Sequence, residues 1–143
     1  MNKTRLLNLL ENVFPPAVNQ ALNDWFLKGA QSAAEVTLTS ETTYVVPFNS
    51  DNRFAKLVLG AQNLTALTAT VGDLNDGDEV LLQITQDGTA ARTVSWSTGF
   101  AASGGTDPTV TAATDAVDLF KGVVSGGEVV LIAEEQNIST LTP

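Results

Sequence analysis

Between Glu35 and Ala133 short runs of alternating apolar side chains recur, and this alternation constrains the fold more than any other feature of the chain. Successive side chains of an extended strand point to opposite faces, so alternation turns one face to a core and the other to water. Val36 and Leu38 suit a first strand. Tyr44, Val46 and Phe48 suit a second, in which Pro47 lacks the N–H a ladder needs and argues for an edge position. Ala55, Leu57 and Leu59 form a third, and Leu67, Ala69 and Val71 a fourth, separated by Gly60 to Asn63. Residues 76 to 97 read as a central hairpin about Asp87-Gly88. A two-residue turn there would set Leu82 against Thr93 and Val80 against Ser95, burying polar against apolar. An odd loop, Asp87 to Thr89, sets Val80 against Trp96 and Leu82 against Val94, and is preferred. A last hairpin joins Val117 to Val124 with Val129 to Ala133 around Ser125-Gly126-Gly127. About eight short strands at regular spacing predict a mainly β fold, an antiparallel β-sandwich or jelly roll, with an N-terminal helical segment.

That segment has a different texture. Leu6, Leu9, Leu10 and Val13 lie at i, i+3, i+4 and i+7, an amphipathic stripe that Thr4 can cap, and Pro15-Pro16 ends it. Pro16 opens a second helix with Val18, Leu22, Trp25 and Phe26 on one face and Gly29 at its end. So short a segment cannot bury both stripes by itself. The expected division is 1–34 as a helical attachment segment, 35–134 as the β-domain and 135–143 as a tail. The anchor would be Leu6, Leu9, Leu10, Val13, Leu22, Trp25 and Phe26. Packing of the same stripe on the chain's own domain is an equally weighted alternative.

Composition removes whole classes of chemistry. The 143 residues include no cysteine and no histidine, so disulfides, thiolate metal sites and histidine-based acid–base catalysis are all unavailable. Net charge is -9, and fourteen of the sixteen carboxylates but only four of the seven basic residues lie beyond residue 34. A polyanionic body repels phosphate backbones and anionic lipid, so neither nucleic acid nor a membrane is expected as a partner. Lys3 and Arg5 precede a leucine run, yet Asn8, Glu11 and Asn12 interrupt it, which reads against a secretory leader.

Four clusters are candidate sites, each with a plainer reading. Asp73, Asn75, Asp76, Asp78 and Glu79 could hold calcium, but the sixth and twelfth positions counted from Asp73 are Asp78 and Ile84, not glycine and glutamate; a solvated turn is the better account. Asp115 with Asp118, or Asp107 with Asp87, could flank a sugar as paired carboxylates, although nothing in the sequence sets their separation. Trp96 and Tyr44 could form a sugar-stacking platform, but a strand tryptophan is more often core. Gly104-Gly105-Thr106-Asp107-Pro108 lacks the lysine and the following helix of a phosphate loop, and reads as a crossing between strands. No catalytic residue, metal ligand or cofactor is assigned.

The runs Gln86-Asp87-Gly88-Thr89, Arg92-Thr93-Val94-Ser95-Trp96, Gly104-Gly105-Thr106-Asp107-Pro108-Thr109 and Ala116-Val117-Asp118-Leu119-Phe120, in that order, resemble a β-domain of tailed-bacteriophage virion proteins. The resemblance spans about residues 35 to 133 and is to small head-decoration proteins and tail-fibre or tail-spike chains. It implies a non-enzymatic virion component, assembled in the host cytoplasm and often a homotrimer, bound to the major capsid protein or another virion protein. Head decoration is the first expectation and a tail-fibre component or host carbohydrate-binding adhesin the alternative. Shortness and the lack of a sequence repeat favour the former.

Overall fold

The computed structural model describes residues 35–138, all within the unit Ala33–Pro143. The helices expected over 1–34, with their anchor residues, lie outside the described residues, as does 139–143.

Nine strands follow in order: β1 (Glu35–Thr37), β2 (Thr43–Pro47), β3 (Phe54–Val58), β4 (Leu64–Thr70), β5 (Glu79–Thr85), β6 (Val94–Trp96), β7 (Phe100–Ala102), β8 (Val117–Ser125) and β9 (Glu128–Glu135). A 3-10 turn, Ser103–Gly105, follows β7. One sheet has the order β1-β3-β5-β8-β9-β7 and the other β2-β4-β6. Within the first, β1, β3 and β5 are parallel, with Val36 beside Leu57 and Leu57 beside Ile84. Within the second, β2, β4 and β6 are also parallel, with Tyr44 beside Leu67 and Leu67 beside Trp96.

The arrangement is solenoid-like. Each consecutive pair, β1 with β2, β3 with β4 and β5 with β6, contributes one strand to each sheet, so the chain climbs through three stacked rungs. This overturns the antiparallel sandwich or jelly roll expected from the sequence. The central hairpin goes with it: β5 and β6 lie in different sheets, Val80 is opposite Gly122, and Trp96 is beside Leu67. The physical reason is that period-two alternation is the same for both pairing directions. The cue that separates them, near-continuous apolar runs in parallel strands buried on both faces, is broken here by outward polar residues such as Thr37, Lys56, Thr68 and Gln83.

The last hairpin does form. β8 runs antiparallel to β5 and β9 antiparallel to β8, with the turn at Gly126-Gly127 between Ser125 and Glu128. Both glycines have positive φ, 61° and 83°, which a side chain would disfavour. In the large sheet the stacking of rungs therefore stops at β5, and the sheet continues through β8 and β9 to an edge at β7, which runs parallel to β9. At the opposite end β1 and β2 are edges with no strand beyond them among the described residues, and Pro47 stands on such an edge.

The core lies between the two sheets. Leu57, Ile84 and Leu82 from the large sheet meet Val46, Leu67 and Phe48 of the small sheet and its continuation, all at most 1% exposed. Burial of a side chain of this size stabilises by about 1.5–3 kcal/mol. Trp96 is half-buried and closes one side, packed edge-to-face on Phe100 and Phe120 with ring centroids 5.1 Å apart in each case.

Candidate functional site

Among the described residues two polar side chains are buried, Gln86 and Asp118, each 1% exposed, and both grip Thr111. The Gln86 amide donates from Nε2 to the Thr111 and Arg92 carbonyls, at 2.9 and 2.8 Å, and accepts the Arg92 N–H at Oε1. Asp118 accepts the Thr111 N–H at 2.6 Å and its hydroxyl at 2.7 Å, and the Asn137 N–H at 2.8 Å. These bonds tie the long connection between β7 and β8 to the core. A buried carboxyl group that takes up three donors is committed to holding this connection in place.

The clamp explains why the Asp87-Gly88 region is no hairpin turn. Gln86 reaches across to Arg92, so the intervening loop closes on a side chain and delivers β6 to the other sheet. Arg92 also donates to the Gly60 carbonyl at 3.1 Å and pairs with Asp87 at 2.9 Å. The Thr89 hydroxyl, 2.5 Å from Asp87, and then the Arg92 guanidinium hold the Asp87 carboxyl below its usual range.

The sequence-predicted sites separate under this geometry. In the acidic cluster Asp73 accepts the Ser50 N–H and hydroxyl, Asp76 accepts the Gly126 N–H, and Asp78 accepts the Asn75 N–H and lies 3.6 Å from Arg53. Glu79 pairs with Lys121 at 3.0 Å. Among the described residues no three such groups converge as a metal site. Asp118 is committed to Thr111 while Asp115 is exposed on a turn at φ 59°. Asp87 is held by Thr89 and Arg92, whereas Asp107 lines a cleft that Asp87 does not reach. Tyr44 and Trp96 both flank Leu67 and pack on the core, so they present no stacking platform.

That cleft has a volume of about 480 Å³. Ser103, Thr106, Asp107 and Thr109 form one wall, Ile132 and Glu134 the other, and the buried Phe120 and Leu131 lie beneath. One wall is the glycine-rich crossing, held from behind by the Trp96 Nε1–H on the Pro108 carbonyl at 2.8 Å and by the Gln136 amide on the Thr109 carbonyl. The other wall depends on a β-bulge. Leu131 pairs with Gly122 and Ala133 with Lys121, which leaves Ile132 unpaired and half exposed. After the bulge the faces swap, and Glu134 stands opposite the inward Phe120. Sequence reasoning passed over Ile132 and Glu134, although two adjacent apolar residues, Leu131-Ile132, break the alternation at this point and were the available signal.

No helix among the described residues is long and apolar enough to cross a membrane. Comparisons of the chain with protein-family models, with curated proteins and with solved structures return no match.

Proposed function

We propose that the chain is a non-enzymatic structural component of a tailed-bacteriophage particle, and that its β-domain is the end module of a tail-fibre assembly. The observation that carries this reading is the asymmetry of the rung stack. A stack of parallel rungs needs its terminal faces covered. Here the parallel rungs of the large sheet give way at β5 to the antiparallel β8–β9 hairpin, beyond which that sheet ends at β7, whereas at the other end of the stack β1 and β2 have no strand beyond them among the described residues. Such a module fits the end of an assembly that continues on the β1 side. The three rungs also answer the objection that the chain lacks a repeat: the repeat is in the backbone, at unequal spacing, and leaves no periodic sequence. Assembly as a homotrimer would cover the edges at β1 and β2.

Head decoration is the second reading, favoured by the shortness of the chain and by the acidic composition beyond residue 34, which suits an outward, soluble surface. In both readings the anchor is the segment containing Leu6, Leu9, Leu10, Val13, Leu22, Trp25 and Phe26. Gold-labelled antibody against the β-domain, imaged on purified particles, tests the proposal. Label at the tail is the expected result, label on the head transfers the assignment to decoration, and intact particles without the protein would end both.

A further inference from the structure

The cleft beside β9 supports an inference that stands apart from the phage reading. β7 ends at Ala102, opposite Leu131. Among the described residues, therefore, no strand neighbours Ile132 to Glu135 on the side away from β8, and no backbone hydrogen bond joins them to the 103–109 wall. Unpaired backbone groups along a strand inside a groove are what an added strand completes. The side chains select which strand. The bulge at Ile132 places Glu134 in the cleft and Asp107 faces it from the other wall; neither has a hydrogen-bond or ionic partner among the described residues, and no lysine or arginine lines the cleft. Acidic residues on a free edge turn away other acidic chains, a second copy of this β-domain included, and leave the edge open to a basic one.

We propose that the cleft binds an extended basic segment of a partner protein, which adds as a strand to the free edge of β9 and directs alternate lysine or arginine side chains at Glu134 and Asp107. The Ile132 side chain and the apolar base of the cleft take the residues between.

The test uses the full chain and a fluorescent octapeptide of alternating threonine and lysine, with an alternating threonine–glutamate peptide as control. Saturable binding of the basic peptide alone is expected, weakened about fivefold in the Asp107→Asn, Glu134→Gln double variant, the scale of two exposed ion pairs. Both side chains are exposed and unpaired, so the variant should keep the wild-type circular dichroism. In the wild-type chain, bound peptide should slow amide exchange at Ile132 to Glu135. Two further peptides, N-methylated on one or the other set of alternate residues, separate strand addition from simple charge attraction: one should lose binding and the other keep it. Equal binding of both methylated peptides, equal binding of the acidic control, an unchanged affinity in the double variant, or no binding at millimolar peptide would each overturn the proposal. Binding of neutral oligosaccharides without binding of the peptide would reassign the cleft to a glycan.

Discussion

Replacing Gln86 tests whether one buried amide sets the path of the chain between the two sheets. Gln86→Met keeps the length and apolar volume of the side chain but removes three hydrogen bonds at a site 1% exposed. The Arg92 N–H loses its acceptor, and an orphaned buried donor costs about 1–3 kcal/mol. The Arg92 and Thr111 carbonyls each lose a donor, at roughly 1 kcal/mol apiece. The expected loss is therefore about 3–5 kcal/mol, a large part of the stability of a domain this size. Urea unfolding followed by circular dichroism measures it, and amide exchange at Arg92 should quicken selectively. Gln86→Glu sharpens the test through its pH dependence. A carboxylate here would face two carbonyl oxygens, so the folded state favours the neutral acid and raises its pKa above the unfolded value of about 4.3. The penalty is then absent below about pH 4 and grows as pH rises from the unfolded pKa to the folded one, so this variant should approach wild-type stability only in acid. A loss below about 1 kcal/mol in Gln86→Met, the size of a surface change, with Arg92 exchange unaltered, would refute the clamp.

At Gly60 an added Cβ would lie 1.7 Å from the Leu38 carbonyl oxygen, whereas at Gly122 the nearest atom is a Val129 methyl at 2.3 Å. Gly60→Ala must displace backbone and should lower the melting temperature more than Gly122→Ala, for which overpacking of about 1–3 kcal/mol is expected; the reverse order would contradict the rung contact. Trp96→Ala removes two edge-to-face contacts and leaves the Pro108 carbonyl without its donor, so a loss of about 3 kcal/mol is expected in chemical denaturation. The Asp87 carboxyl is held low by Thr89 and Arg92, so its contribution is present above its unfolded pKa of about 3.9 and lost as pH falls through the folded value. Asp87→Asn should accordingly flatten the acid limb of a stability–pH curve below about pH 4, leaving its shape at neutral pH unchanged.

Local readings of the sequence fare better than the pairing they were used to infer. The inward positions Leu57, Leu82, Ile84 and Leu67 are found in the core, the Gly126-Gly127 turn joins β8 to β9, and Pro47 lies on an edge strand. Those features depend on residues near one another in the chain. Parallel pairing depends on partners far apart, such as Val36 with Leu57 and Leu57 with Ile84, and nothing in a strand's own pattern names its neighbour. Asp87-Gly88 misleads for a related reason. It is a strong turn signal, but the residue that decides its meaning is the adjacent glutamine, whose burial is set by Thr111 from another loop. The cleft is harder still, because Glu134 faces inward only through the register change at Ile132, and a bulge is fixed by both strands of a pair.

The hairpin that halts the rungs bears on the order in which the chain can fold. Residues 117 to 135 are the most local pairing in the domain and also the last of it to be synthesised, yet β5 has β8 as one of its two neighbours in the large sheet. During translation the three rungs would emerge with one side of β5 unpaired and Thr111 without Asp118. Closing distant parallel contacts is slow compared with zipping a hairpin. The hairpin is therefore suited to form first once released and to serve as the template on which β5, and then β3 and β1, settle in reverse of their order along the chain. A nascent chain stalled before residue 117 should for that reason remain sensitive to protease across strands that are already complete in sequence.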